Sequence, residues 1–135
     1  MRAIVPVLIL TLIAGPLAAQ DRSPTLRQTL VDLAYVLGES HALRQACSGK
    51  QDQHWRMRMI ALVAAEQPDA NLDRRLKESF NSGFATRQSQ NSGCTVAVRR
   101  SEAQTMGRGR LLSERLAAAK VASAPDIVAE PGVTR

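Results

Sequence analysis

The feature that most limits how this chain can fold is its single pair of cysteines, Cys47 and Cys94, in a sequence almost empty of rings. Between them lie the only tryptophan, Trp55, and both phenylalanines, Phe80 and Phe84; the one tyrosine, Tyr35, is just upstream. Joined, the two sulfurs close a covalent loop of about 48 residues, with the flanking segments hanging from its ends. A domain of roughly a hundred residues is near the low end of comfortable single cores. Four aromatic side chains fill little of it. The chain-entropy account gives such a loop ~4 kcal/mol against a typical total of ~5–15 kcal/mol. The bridge is therefore expected to supply a large share of the stability.

The N-terminus bears on whether the cysteines pair. Met1-Arg2 is a short positive start, Ala3 to Ala14 is uncharged and mostly apolar, and Gly15-Pro16 breaks the run before Leu17-Ala18-Ala19-Gln20. That is the anatomy of a secretory signal peptide over residues 1–20, cut after Ala19 or Gln20. The run is shorter than the ~20 residues of a spanning helix, so no stable transmembrane segment is expected after cleavage. Export to a periplasm makes a disulfide the simplest use of an even cysteine pair. The pair is not Cys-x-x-Cys, and with His41 and His54 it matches no zinc spacing, so neither a redox motif nor a metal site is read here.

Past the leader, apolar periodicity is helical throughout, and we expect an all-α bundle of four to five helices over 21–120, followed by a disordered tail over 121–135. Ser23-Pro24 reads as N-cap and first helical position of a helix running to about Cys47. Leu26, Leu30, Leu33 and Leu37 form its stripe; Cys47 falls on the same side, while Gly38 lies off it and weakens the helix by ~1 kcal/mol. Gly49 is the expected C-terminal cap. A second helix spans about Asp52 to Gln67, with Trp55, Met59, Leu62, Val63 and Glu66 on one face and Pro68 as its stop. Asp69 or Asn71 caps a third helix from Leu72 to about Gln88, striped by Leu72, Leu76, Phe80, Gly83 and Phe84, with close helix approach expected at Gly83. Residues 88–93 read as a turn. From Thr95 to about Lys120 a weaker stripe of Val96, Ala103 and Met106 gives way, past Gly107 and Gly109, to Leu112, Leu116 and Ala119, widened by Leu111; the glycines mark a kink or a break.

Few residues suggest chemistry. Glu66 sits in line with apolar neighbours, where a carboxylate costs several kcal/mol unless paired or neutral. It is either an acid–base or recognition group, or the partner of a residue on another helix. Arg44 is the inviting partner, but in a plain antiparallel hairpin it lies by the turn, ~20 Å from Glu66. Glu66 is then expected opposite Leu33 to Leu37, with Tyr35 and His41 as its nearer polar groups. His41 reads as a boundary histidine with one hydrogen bond, and Trp55 as core rather than a sugar platform. No nucleophile and no second carboxylate completes a catalytic set. The chain is basic, +6 with a pI near 10.3. An exported basic protein meets anionic lipid and envelope polymers rather than nucleic acid. Arg99, Arg100, Arg108 and Arg110 form the densest basic cluster, a candidate anion-binding face. Gly107-Arg108-Gly109-Arg110 lacks the spacing and the preceding strand of a phosphate loop, and no cofactor motif is present.

Leu37-Gly38-Glu39-Ser40-His41-Ala42-Leu43-Arg44 leading to Cys47, Trp55-Arg56 with Met59, Leu62 and Glu66, Phe80-Asn81-Ser82-Gly83-Phe84, and Cys94-Thr95 together resemble an uncharacterised family of small exported alphaproteobacterial proteins with a paired-cysteine hallmark. The resemblance covers roughly residues 26–116 and departs from the family where Gln88 and Gln90 stand in place of an aromatic. It implies a periplasmic helical protein and carries no activity with it. The function expected is that of a non-catalytic interaction or accessory protein of the cell envelope, its partner an envelope protein or anionic envelope component. The alternatives are a small periplasmic enzyme using Glu66 with His41 or Tyr35, and an anion- or lipid-binding module using the Arg99–Arg110 helix.

Overall fold

The computed structural model of the chain describes residues 22–91 and 93–123. The expected leader and nearly all of the expected tail lie outside these residues. Four helices follow in order: α1 (Pro24–Ser48), α2 (His54–Glu66), α3 (Ala70–Gln90) and α4 (Val96–Ala122).

Local chemistry sets most of their ends. The Ser23 hydroxyl accepts from the Leu26 N–H at the start of α1, with Pro24 in the first turn where its missing N–H costs nothing. Gly49 ends α1 at φ 93°, a backbone conformation suited to glycine. Gln67 closes α2 in the left-handed region just before Pro68. Asp69 caps α3, taking the Leu72 N–H at 2.8 Å. The Arg27 guanidinium, together with that N–H, holds its carboxyl down to about 2. α3 continues to Gln90, two residues past its expected end at Gln88, and Asn91 there donates its side-chain amide to the Arg87 carbonyl. α4 starts on a Thr95 cap and runs unbroken through Gly107 and Gly109.

α1 is the hub. α2, α3 and α4 each pack on it, α2 touches α3 lightly, and α4 approaches neither α2 nor α3 among the described residues. The contacts give the directions. Ser79 bonds the Val31 carbonyl, Tyr35 meets Thr86, and Arg87 meets Glu39, so α3 runs parallel to α1 and α2 is the return connection between them. Cys94 meets Cys47 at one end, and Arg108 meets Glu39 further down, so α4 runs antiparallel to α1. The core is built from Leu30, Leu33, Ala34 and Leu37 of α1, with Met59, Leu72, Leu76, Phe80 and Leu116 from the other three helices.

The α1–α3 contact is tight enough for backbones to touch. A Cβ placed on Gly83 would overlap the Tyr35 carbonyl oxygen and lie 3.1 Å from the Glu39 nitrogen. The close approach expected at Gly83 is present, and it is reciprocal. A Cβ on Gly38 would overlap the Phe80 carbonyl and lie 2.9 Å from the Phe84 nitrogen. Gly38 is therefore not an idle interruption of α1 but half of the crossing, buried with it.

The cysteines are bonded, with Cα atoms 4.6 Å apart. The bridge ties the last turn of α1 to the residue before the α4 cap. Cys47 is only half-buried and Cys94 is exposed, so the bond closes one end of the bundle instead of lying in its core.

The inward face of α4 also differs from expectation. Val98, Thr105 and Leu116 are buried, whereas Val96, Met106 and Leu111 are exposed. Ala103 also faces out. Small and polar residues on the inward side let α4 lie close to α1, where a Cβ on Gly109 would come within 3.2 Å of Val36.

Candidate functional site

The four polar candidates do not converge. Glu66 at the end of α2 is gripped by Arg22, just ahead of α1. The Arg22 Nε and Nη2 donate to the two carboxylate oxygens at 2.9 and 2.8 Å. Both side chains are nearly out of water, and the two-pronged geometry suits guanidinium and carboxylate. This corrects the expectation that Glu66 faces Tyr35 and His41. Tyr35 lies roughly 16 Å along α1 from Pro24 at 1.5 Å per residue, and the hairpin is not plain, because α2 must return the chain to the foot of α1 so that α3 can start there.

Arg44 stays at the other end, bonded to Asp52 at 2.7 Å in the α1–α2 connection. The Asp52 carboxyl also takes the His54 N–H, and these two bonds hold its pKa below the usual carboxylate range. Tyr35 donates its hydroxyl to Thr86 at 3.2 Å on α3.

His41 is not at a boundary. It is buried against the rings of Phe80 and Phe84, with centroids 5.8 and 5.3 Å away. Its Nε2 lies 3.3 Å from the Gln45 amide nitrogen, and its Nδ1 is buried without a partner. Burial lowers its pKa, and the Arg56 charge lowers it further against a smaller opposing effect of Asp52. Trp55 packs half-buried against the core with its indole N–H unpartnered.

The strongest polar feature was not singled out in the sequence. Glu39, its side chain 4 % exposed, accepts from Arg87 of α3 at 2.9 Å and from Arg108 of α4 at 2.5 Å. Arg108 also reaches the buried Thr105 hydroxyl. One carboxylate on the hub thus ties down two helices that do not pack on each other among the described residues. Its place in the crowded seam is a structural fact: the Glu39 nitrogen lies 3.1 Å from a Cβ built on Gly83.

The basic cluster on α4 therefore divides. Arg108 turns inward. Arg110 makes a loose exposed pair with Glu114 at 3.6 Å. Arg99 and Arg100 are exposed and have no counter-ion among the described residues.

Two apolar surfaces stand out. On α2, Met57 and Ile60 are more than half exposed, and with Ala61 and Ala64 they form a stripe opposite Met59 and Leu62. Ile60 also borders a groove of about 480 Å³ between α2 and α3, lined by Met59, Val63 and Phe80 and flanked by Arg56 and Lys77. A second cleft, about 370 Å³, lies between α1 and α4, with Arg108, Leu111 and Arg115 along it. Among the described residues, no three His, Cys, Asp or Glu side chains are grouped to hold a metal ion, and no helix is long and apolar enough to cross a membrane.

Residues 26–119 match the model of a family described as protein of unknown function, DUF2385. The chain belongs to that family. The DUF2385 span opens in the first turn of α1 and closes near the end of α4. It takes in both cysteines, both crossing glycines, and Glu39 with its two arginines. It leaves out Arg22, the partner of Glu66. No curated protein and no solved structure matches the chain.

Proposed function

We propose that the protein is a non-catalytic interaction protein of the cell envelope, exported to the periplasm, and that it receives its partner on α2. Support comes from one observation: α2 is apolar on both sides. Its inner face joins the core through Met59, and its outer face presents Met57, Ile60, Ala61 and Ala64 to solvent beside an open apolar groove. An isolated exposed leucine means little, but a helical stripe continuous with a groove is the form of a helix-docking surface. Arg56 and Lys77 at the rim favour an acidic partner segment. The two carboxylates drawn out of water in the bundle are already engaged: Glu39 with two arginines and Glu66 with Arg22. Each serves to hold helices in register.

The test is a photo-crosslinking residue placed at Ile60 in cells, with Ala85 on the exposed side of α3 as control. A discrete adduct at position 60, absent at 85 and lost in Met57→Asp, is the expected result. Equal labelling at both positions refutes the assignment. Fractionation, with the mass of the recovered chain, tests export: a periplasmic product shortened by about twenty residues is expected.

A further inference from the structure

α4 presents a second free face, and it differs from α2 in being strongly charged. Only α1 covers α4. At 100° per residue, Val96, Arg100 and Val121 point away from the buried Val98 and Leu116, over about 37 Å of helix, and Leu111, at the rim of the α1–α4 cleft, borders them. Val96 and Val121 are about three-quarters exposed and Leu111 more than half, with Met106 on one flank. Arg99 and Arg110 border this line, and Glu114, already facing Arg110, is the one carboxylate on it.

Exposed apolar side chains spread along the whole length of a continuous helix, with Arg99 and Arg100 among them carrying no counter-ion among the described residues, describe an extended interface rather than a pocket. Their charge selects the occupant. A second copy of this chain laid on the same face would bring arginines against arginines. A surface of anionic headgroups supplies the missing counter-ions, while the short apolar side chains enter the headgroup–acyl boundary.

We propose that the outer face of α4 is a reversible membrane-surface site that binds anionic phospholipid through Arg99, Arg100 and Arg110, with Val96, Leu111 and Val121 inserted at the interface. The site is independent of the α2 surface. It adds a second attachment, to lipid.

The experiment is co-sedimentation of the full chain with sucrose-loaded vesicles, either pure phosphatidylcholine or seven parts phosphatidylcholine to three of phosphatidylglycerol, at low and high salt. All variants are purified alike and checked for the same N-terminus, so the leader cannot account for a difference. Binding to the anionic vesicles alone is expected, falling as salt rises. Arg99→Gln, Arg100→Gln and Arg110→Gln together should weaken it on the order of a hundredfold, since each cation near such a surface contributes about fivefold. The control Arg58→Gln with Arg74→Gln, on α2 and α3, should leave it within about twofold. A tryptophan introduced by Leu111→Trp should shift to the blue on those vesicles, and one introduced by Ala85→Trp should not. The proposal fails if neutral and anionic vesicles bind alike, if the α4 triple variant binds as wild type, or if the chain binds soluble polyglutamate but neither vesicle.

Discussion

Removing the charge on Glu39 tests how the hub holds its neighbours. In Glu39→Gln the side chain keeps its shape and one carbonyl oxygen but loses two charge-assisted bonds, to Arg87 and Arg108. Such bonds contribute ~1.5–3 kcal/mol each when the surroundings cannot substitute. Here they partly can. Arg87 is 26 % and Arg108 49 % exposed, so both guanidinium groups can turn to water. The expected loss is therefore about 2 kcal/mol, which for a domain of this size lowers Tm by ~8–16 °C.

The reverse change should cost more. Arg87→Met with Arg108→Met leaves a buried carboxylate with no cation, and stranding one member of a buried cluster costs ~3–5 kcal/mol. Adding Glu39→Leu to that pair removes the stranded charge and should recover most of the loss. Urea melts followed by helical circular dichroism on all three variants give the order directly. If Glu39→Gln costs more than the double arginine variant, or if Glu39→Leu fails to rescue, the cluster is not a desolvated tie and the reasoning is wrong.

Further outcomes follow from particular positions. Gly83→Ala or Gly38→Ala forces a methyl into a carbonyl of the opposing helix and should cost ~1–3 kcal/mol or more. Gly107→Ala, with open space around it on the same kind of helix, should stabilise by ~0.5–1 kcal/mol in the same urea melts. Cys47→Ser or Cys94→Ser should lower the melting temperature sharply, by up to ~4 kcal/mol in stability; an unchanged melt under reducing conditions refutes the bridge as a main support. His41 is held neutral by burial, so the unfolded chain, at the ordinary value of 6.5, takes up a proton before the native state does. Stability should then fall as pH drops below about 6.5, by at most ~1.4 kcal/mol per pH unit, and His41→Leu should flatten that slope between pH 5 and 7.

Much of the fold was legible because large apolar residues at helical spacing have one use in a packed bundle. Leu26 to Leu37 and Leu72 to Phe80 place α1 and α3, and Ser23, Gly49 and Asp69 mark ends whose chemistry is local. The reading failed where the contact is made by small residues. Ala34, Gly38 and Ala42 recur every four residues in α1, a seam that carries no hydrophobic weight yet allows the closest approach in the molecule. Counting only bulky side chains put Gly38 off the stripe. The same bias picked Val96 and Met106 for the inner face of α4, when Thr105 and Gly109 lie inward because α1 comes close there. The polar pairs were illegible for another reason. Glu66 with Arg22, and Glu39 with Arg87 and Arg108, depend on α3 running parallel to α1, and periodicity within a helix says nothing about the direction of its neighbours.

That direction also explains why the ring-poor interior suffices. A plain antiparallel bundle buries its helices by filling the spaces between them with large side chains. Here α2 returns the chain so that α3 can lie parallel to α1 at backbone contact, and the space to be filled shrinks. Each helix then needs only one or two specific tethers: Arg22 for the end of α2, Ser79 and Arg87 for α3, and Arg108 with the disulfide for α4. An arrangement in which every neighbour is fastened to one central helix leaves the outer faces of α2 and α4 free of any role in folding. The apolar residues there cost solubility without adding to the core, and it is on those two faces that selection for binding has room to act.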